Sequence, residues 1–225
     1  MEIEGKKAAV FGIGGAGCKI VNLLARSVPD NTELIALDTD KEELEGLEER
    51  VRTVAVGESL ANKCSSFEEI KKALSNEIGG LEGSLEAVDM VMIIASLGGK
   101  TGACLSDFIA EMCSERNLFS IYVPIYPLNK VSGGIEKAEK TINRVKEKVG
   151  GTLIVDNNLK REGGNLPMMR VFNIVNKLIE RLIVSLLSSV SEMGMTNLDV
   201  DELRTFFYGD YFFIVTSGNG NSLEI

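Results

Sequence analysis

The chain has 225 residues, 44% of them apolar, a formal charge of −9 and no histidine. That is enough apolar side chain for a sizeable core. The acidic balance argues against general nucleic-acid binding, and the missing imidazole excludes Ser-His and Cys-His catalysis. The charged start "MEIEGKK" and the lack of any apolar window of about 18 to 20 residues predict no direct membrane insertion and a cytoplasmic protein.

In chain order, apolar runs of strand length fall at 7–13, 33–38, 52–56, 89–96, 118–126 and 152–156. Helical spacing falls between them at 16–28, 41–49, 66–77, 103–116 and 133–149, with Ser66-x-x-Glu69 as a capping box. This alternation predicts an α/β fold, a doubly wound, mostly parallel sheet with helices on both faces. In such sheets ligands sit at the carboxyl ends of the strands, where loops meet helix N-termini. The segment 166–193 is the longest apolar-periodic stretch. It predicts a central helix close to 40 Å long at about 1.5 Å per residue. "TNLDVDELRTFF" opens a further short helix, and "YFFIVTSGNGNSLEI" reads as one strand and a loose end. The expected organisation is an α/β domain at 1–165, the central helix at 166–193, and the start of a minimal or absent second domain at 194–225. Cys18, Cys64, Cys104 and Cys113 have no CxxC spacing and read as reduced, mostly buried thiols.

The chemistry concentrates in two glycine clusters. In "VFGIGGAGCK", Gly14, Gly15, Ala16, Gly17, Cys18 and Lys19 lead from a strand into a helix. Their bare backbone and the helix's unpaired N–H groups suit a phosphate. The same stretch also fits a tight strand-to-helix turn. Its Gly12-x-Gly14-x-x-Gly17 spacing, with Asp38 about 20 residues on, fits the dinucleotide fingerprint of an NAD(P)-dependent oxidoreductase as well. The second cluster, "ASLGGKTGACL", places Gly98, Gly99, Lys100, Thr101 and Gly102 in the same setting. It is not a Walker loop, which needs glycine where Ile94 stands. Lys19 and Lys100 serve either as point charges for phosphate or as solvated lysines.

These motifs, in this order, resemble those of the tubulin/FtsZ superfamily, and the likeness covers nearly the whole chain. It implies that "GIGGAG" is the first phosphate loop, "ALDTD" the second strand's end and "SLGGKTGAC" the signature loop, with Lys100 and Cys104 in glycine positions. The resemblance further implies that Phe172 in "VFNIVN" stacks on guanine and that Asn176 hydrogen-bonds its edge, with Asn157 completing the GTP/GDP site. From the residues alone, Phe172 reads more readily as a core side chain than as a base platform. Asn197, Asp199 and Glu202 fall in the family's carboxylate loop, which implies catalysis: carboxylates orient a water on the γ-phosphate, with Mg²⁺ between phosphate oxygens. Asp199-x-x-Glu202 is also a capping box. The carboxylates stand a long helix away from the phosphate loops, so the resemblance implies self-association, as a head-to-tail filament or dimer, with its own copies or other FtsZ-like subunits.

Several positions depart from the family pattern. Lys19 replaces an asparagine, Lys177 a polar base contact and Glu202 an aspartate. Val131 and Ile135 stand where ribose and phosphate contacts occur, and "ESLANKCSSFEE" stands where a glycine-rich sensing loop is expected. The competing reading is therefore a nucleotide-binding module that neither polymerises nor hydrolyses.

Overall fold

The computed structural model describes residues 7–56, 69, 70, 72, 78–127, 134–156, 168–191, 200–207 and 213–214. The strands are β1 (Ala8–Ile13), β2 (Thr32–Asp38), β3 (Val51–Ala55), β4 (Met90–Ser96), β5 (Phe119–Ile125), β6 (Gly151–Ile154) and β7 (Phe213–Ile214). All pair in parallel in the order β3-β2-β1-β4-β5-β6-β7. The helices are α1 (Gly14–Leu24), α2 (Ile78–Glu86), α3 (Lys100–Glu115), α4 (Gly134–Val145), α5 (Met168–Ser191) and α6 (Val200–Phe206).

The strands are continuous apolar runs because both faces of the sheet are covered. Alternate side chains feed two cores. Ala8, Val10, Met90, Met92 and Ile94 face α1, α5 and α6, whereas Ala9, Phe11, Ile13, Val91, Ile93 and Ala95 face α2, α3 and α4. This is the doubly wound sheet that the alternation predicts. The central helix is present as α5, which lays Val175, Ile179, Ile183, Leu187 and Val190 on the first core. Each such side chain is worth about 1.5–3 kcal/mol when fully buried. Among the described residues no helix is long and apolar enough to cross a membrane.

Two local expectations are corrected. The helix expected at 41–49 is only a 3₁₀ turn at Glu42–Leu44. Gly46, at φ +71, breaks the helical path, and the Glu48 N–H goes to Asn22 Oδ1 at 2.7 Å. Conversely, α2 forms over "IGGLEGSLE", where three glycines mask its pattern, because Leu81 and Leu85 are buried in the second core. Residues 69, 70 and 72 are helical, but most of the expected helix at 66–77 lies outside the described residues.

The position of α6 matters most for function. Phe207, just beyond it, packs on Phe119 with ring centroids 6.5 Å apart, and the Arg204 guanidinium stands 5.7 Å over the same ring. A Cβ on Gly151 would lie 2.7 Å from the Phe207 ring. Phe119 and Gly151 are the first residues of β5 and β6. Helix α6 therefore lies at the amino edge of the sheet.

Candidate functional site

Strand order reverses between β1 and β4, which run outward to β2 and β5 respectively. The crevice outside the carboxyl ends of such a pair is where doubly wound sheets hold ligands. Both glycine clusters sit there.

Most of these glycines have packing reasons. A Cβ on Gly17 would come within 2.7 Å of the Ile94 carbonyl, and one on Gly12 within 2.5 Å of Val21 Cγ2, so α1 rides directly on β1 and β4. Gly102 is pressed in the same way against the Ser96 carbonyl. Gly14 adopts φ +75, and its Cβ would stand 2.6 Å from Ser96 Oγ and 3.9 Å from the Gly102 nitrogen. The two loops thus touch. Gly98 and Gly99 are different. Among the described residues nothing lies within 4 Å above Gly99 and above Gly98 only Pro127 at 3.8 Å, and Gly99 has an extended φ of −125 that any residue adopts. No described side chain covers the loop at these two positions.

The helix ends at this crevice suit an anion. Helix α1 starts after Ile13 and α3 after Gly99, neither with a side-chain cap and neither with an acidic residue in its first turn. First-turn N–H groups have no intrahelical acceptor, so both dipoles favour negative charge here.

The remaining candidates divide. The Cys18 thiol is turned inward, 3.6 Å from the Gly12 and Leu37 carbonyls, and burial together with the Asp38 and Glu43 charges pushes it up to about 12. That leaves only its backbone for a ligand. Lys19 is an ion-pair partner, with Nζ 3.0 Å from a Glu43 oxygen, so the structure does not leave it as a free phosphate charge. Lys100 is exposed, with no ion pair or hydrogen bond among the described residues. Thr101 Oγ1 meets Thr39 Oγ1 at 3.0 Å and ties the signature loop to the end of β2. Asp38 is buried and accepts the Thr39 and Asp40 N–H groups at 2.6 and 3.1 Å. These contacts all fall on Oδ1 and make the carboxylate part of the turn after β2.

Phe172 and Asn176 are half-buried on α5, and Phe172 joins neither core cluster among the described residues. Ser27 Oγ donates to Glu180 Oε1 at 2.9 Å and fixes the register of α5 beside α1. Phe172 lies about two turns before Glu180 along α5, while Ser27 stands in the turn just beyond the end of α1. The start of α5 therefore lies on the side of the first turns of α1. Glu202 is exposed in the first turn of α6, at the opposite end of the sheet. Asn157, Asn197, Asp199 and Val131 lie outside the described residues, as does Cys64; Cys18, Cys104 and Cys113 are buried and in no disulfide. Sequence reasoning missed Thr39 and Glu43. The signal for both was their place just after β2, whose carboxyl end faces the same crevice. A hollow of about 540 Å³ lined by Ala25, Gly46, Leu47, Glu48, Glu49 and Arg50 lies at the other end of α1, away from these loops.

Fold and site together define a doubly wound α/β domain with two glycine loops and two helix N-termini at its switch-point crevice. The model of the Tubulin/FtsZ family, GTPase domain, matches residues 7–161, and the chain belongs to that family. It is 26% identical over 222 residues to cell division protein FtsZ 2 of Methanocaldococcus jannaschii, covering 97% of this chain and 58% of that protein. With cell division protein FtsZ 1 of Thermococcus kodakarensis it shares 27% identity, over 88% of this chain and 54% of the relative. The chain thus spans about half the length of the curated relatives it matches. In structure it resembles an empty FtsZ dimer from M. jannaschii, with TM-score 0.75 and 21% identity over 89% of this chain and 60% of the other. A GTPγS-bound protofilament of CetZ2 from Haloferax volcanii gives TM-score 0.70 and 21% identity, over 88% and 62%.

Proposed function

We propose that the chain binds a guanine nucleotide, GTP or GDP, where Gly14–Gly17 meets Gly98–Gly102, and that hydrolysis is completed by carboxylates from a second copy. The observation that carries this reading is the separation of the two halves. The loops lie at the carboxyl ends of the strands, while Glu202 stands on α6 at the amino edge. Between these ends β5 alone spans roughly 20 Å, so one chain cannot close on its own substrate. Stacking copies head to tail brings α6 of one onto the crevice of the next.

In this reading the first-turn N–H groups of α1 and α3 take the charge of the phosphates, Phe172 lies against the base, and Asn176 and Asn157 add polar contacts. Asn197, Asp199 and Glu202 of the adjoining copy hold the attacking water. Its oxygen bonds to the γ-phosphorus as the bond to the bridging oxygen breaks, which leaves GDP and inorganic phosphate. No set of three His, Cys, Asp or Glu side chains able to hold a metal ion exists among the described residues. Mg²⁺ in this reading travels with the substrate's phosphate oxygens, as it commonly does. A cytoskeletal role in cell division, suggested by the names of the relatives, depends on such assembly.

Gly99→Phe tests the site. No described residue lies within 4 Å above Gly99, and its extended backbone accepts a side chain, so stability changes by about 1 kcal/mol, the scale of an altered N-cap, while the crevice is filled. Calorimetric titration is expected to give GDP and GTP binding to the parent protein and none to the variant. Equal affinity in both would refute the placement, and no guanine-nucleotide binding by the parent would refute the function.

A further inference from the structure

Resting on the nucleotide reading above, we infer that Lys100 is the side chain that recognises the nucleotide's β-phosphate, while Lys19 is a clasp that fastens the segment after β2 onto α1. Both lysines stand in the glycine segments, and the sequence treats them alike. The structure does not. Lys19 Nζ lies 3.0 and 3.3 Å from the two carboxylate oxygens of Glu43. That carboxylate stands only 3.0–3.2 Å from where a Cβ on Gly15 would be, so it lies close over the start of α1. The same face of α1 continues the fastening, with Asn22 Oδ1 accepting the Glu48 N–H and Arg26 pairing with Glu48. Lys19 thus belongs to a row of contacts that hold residues 43–48 in place, and its charge is already matched.

Lys100 is the contrary case. It is the first residue of α3, exposed, directly after Gly98 and Gly99, above which, among the described residues, only Pro127 lies within 4 Å, at 3.8 Å. Its neighbour Thr101 is anchored to Thr39, and Gly102 is pressed against Ser96 and near Gly14. The backbone that carries the lysine is therefore fixed where the two loops meet, while its own ammonium has no carboxylate partner among the described residues. Asp38, Asp40 and Glu43 make this end of the sheet acidic, so a polyphosphate gains most from a cation whose charge is unmatched. A lysine acts there as a flexible point charge.

The test is the ratio of GDP to GMP affinity, measured by calorimetry for the parent protein, Lys100→Met, Lys100→Arg and Lys19→Met. Base, ribose and α-phosphate contacts cancel in this ratio, which isolates the outer phosphate. In Lys100→Met the ratio is expected to fall about tenfold, the scale of one partly screened charge pair. Lys100→Arg is expected to keep most of it, and Lys19→Met to change it by less than about twofold. An unchanged ratio in Lys100→Met, or an equal fall in Lys19→Met, would overturn the assignment while leaving the nucleotide reading intact. A parent protein that binds neither nucleotide would overturn both. Both lysines are exposed, and circular dichroism of each variant separates a folding defect from a lost contact.

Discussion

The contact between the two glycine loops can be broken and partly repaired. Gly14 sits at φ +75 with its missing Cβ 2.6 Å from Ser96 Oγ. Gly14→Ala then incurs two costs: about 1–2 kcal/mol for the left-handed backbone, and about 1–3 kcal/mol for forcing a methyl against the serine oxygen and through it the start of α3. Ser96→Ala removes the obstructing oxygen but not the backbone cost. The pair should therefore couple favourably. Gly14→Ala alone loses about 2–5 kcal/mol, and the double variant recovers about 1–3 kcal/mol of that, the steric part. Urea unfolding of the four proteins, followed by far-UV circular dichroism, measures the cycle. GDP titration of the same proteins reads the crevice, with affinity lost in Gly14→Ala and partly regained in the double variant. Strict additivity, or a Gly14→Ala protein as stable as the parent, would refute the claim that the loops are pressed together at this point.

Two further outcomes follow from the packing. Burial pushes Cys18 and Cys113 from 9.0 up to about 12 in the folded chain. Because folding disfavours the thiolate, the stability linked to these thiols is fully present below pH 9.0 and is lost as pH rises from 9.0 toward 12. At pH 10.5 the loss is about 2 kcal/mol per thiol. Urea titrations at pH 8 and 10.5 check this, with Cys18→Ala and Cys113→Ala reducing the pH dependence. Phe207→Ala should cost about 3–5 kcal/mol by opening the contact with Phe119 and Gly151. The same change should release α6, seen as faster tryptic cleavage at Arg204.

The residues that were legible in the sequence are those whose type alone carries the constraint. Glycine after a buried strand marks both loops, and the continuous apolar runs of strand length mark the sheet. Phe172 and Asn176 are singled out through the resemblance to the tubulin/FtsZ family, since a phenylalanine on an apolar-periodic helix by itself reads as core. What stayed hidden depends on partners brought together from far along the chain. The Lys19–Glu43 pair joins α1 to the segment after β2, and Thr39 reaches Thr101 across 62 residues, so nothing local distinguished Lys19 from Lys100. Helix α2 was concealed because its stability comes from burying Leu81 and Leu85 and not from the helix propensity of its glycine-rich stretch. The overlong helix expected at 41–49 failed on Gly46, whose left-handed backbone outweighs the helix-forming glutamates around it.

The central claim is that a complete site takes its glycine loops from one copy and its carboxylates from the next. It is tested most directly by mixing Glu202→Gln, which keeps the crevice, with Gly99→Phe, which keeps the carboxylates, and measuring GTP turnover against protein concentration. Each variant alone is expected to be nearly inactive. Mixed in equal amounts they should regain about a quarter of the parent turnover, because that share of head-to-tail contacts joins an intact crevice to intact carboxylates. A mixture as inactive as its components, under conditions where the parent protein turns GTP over, would contradict the account.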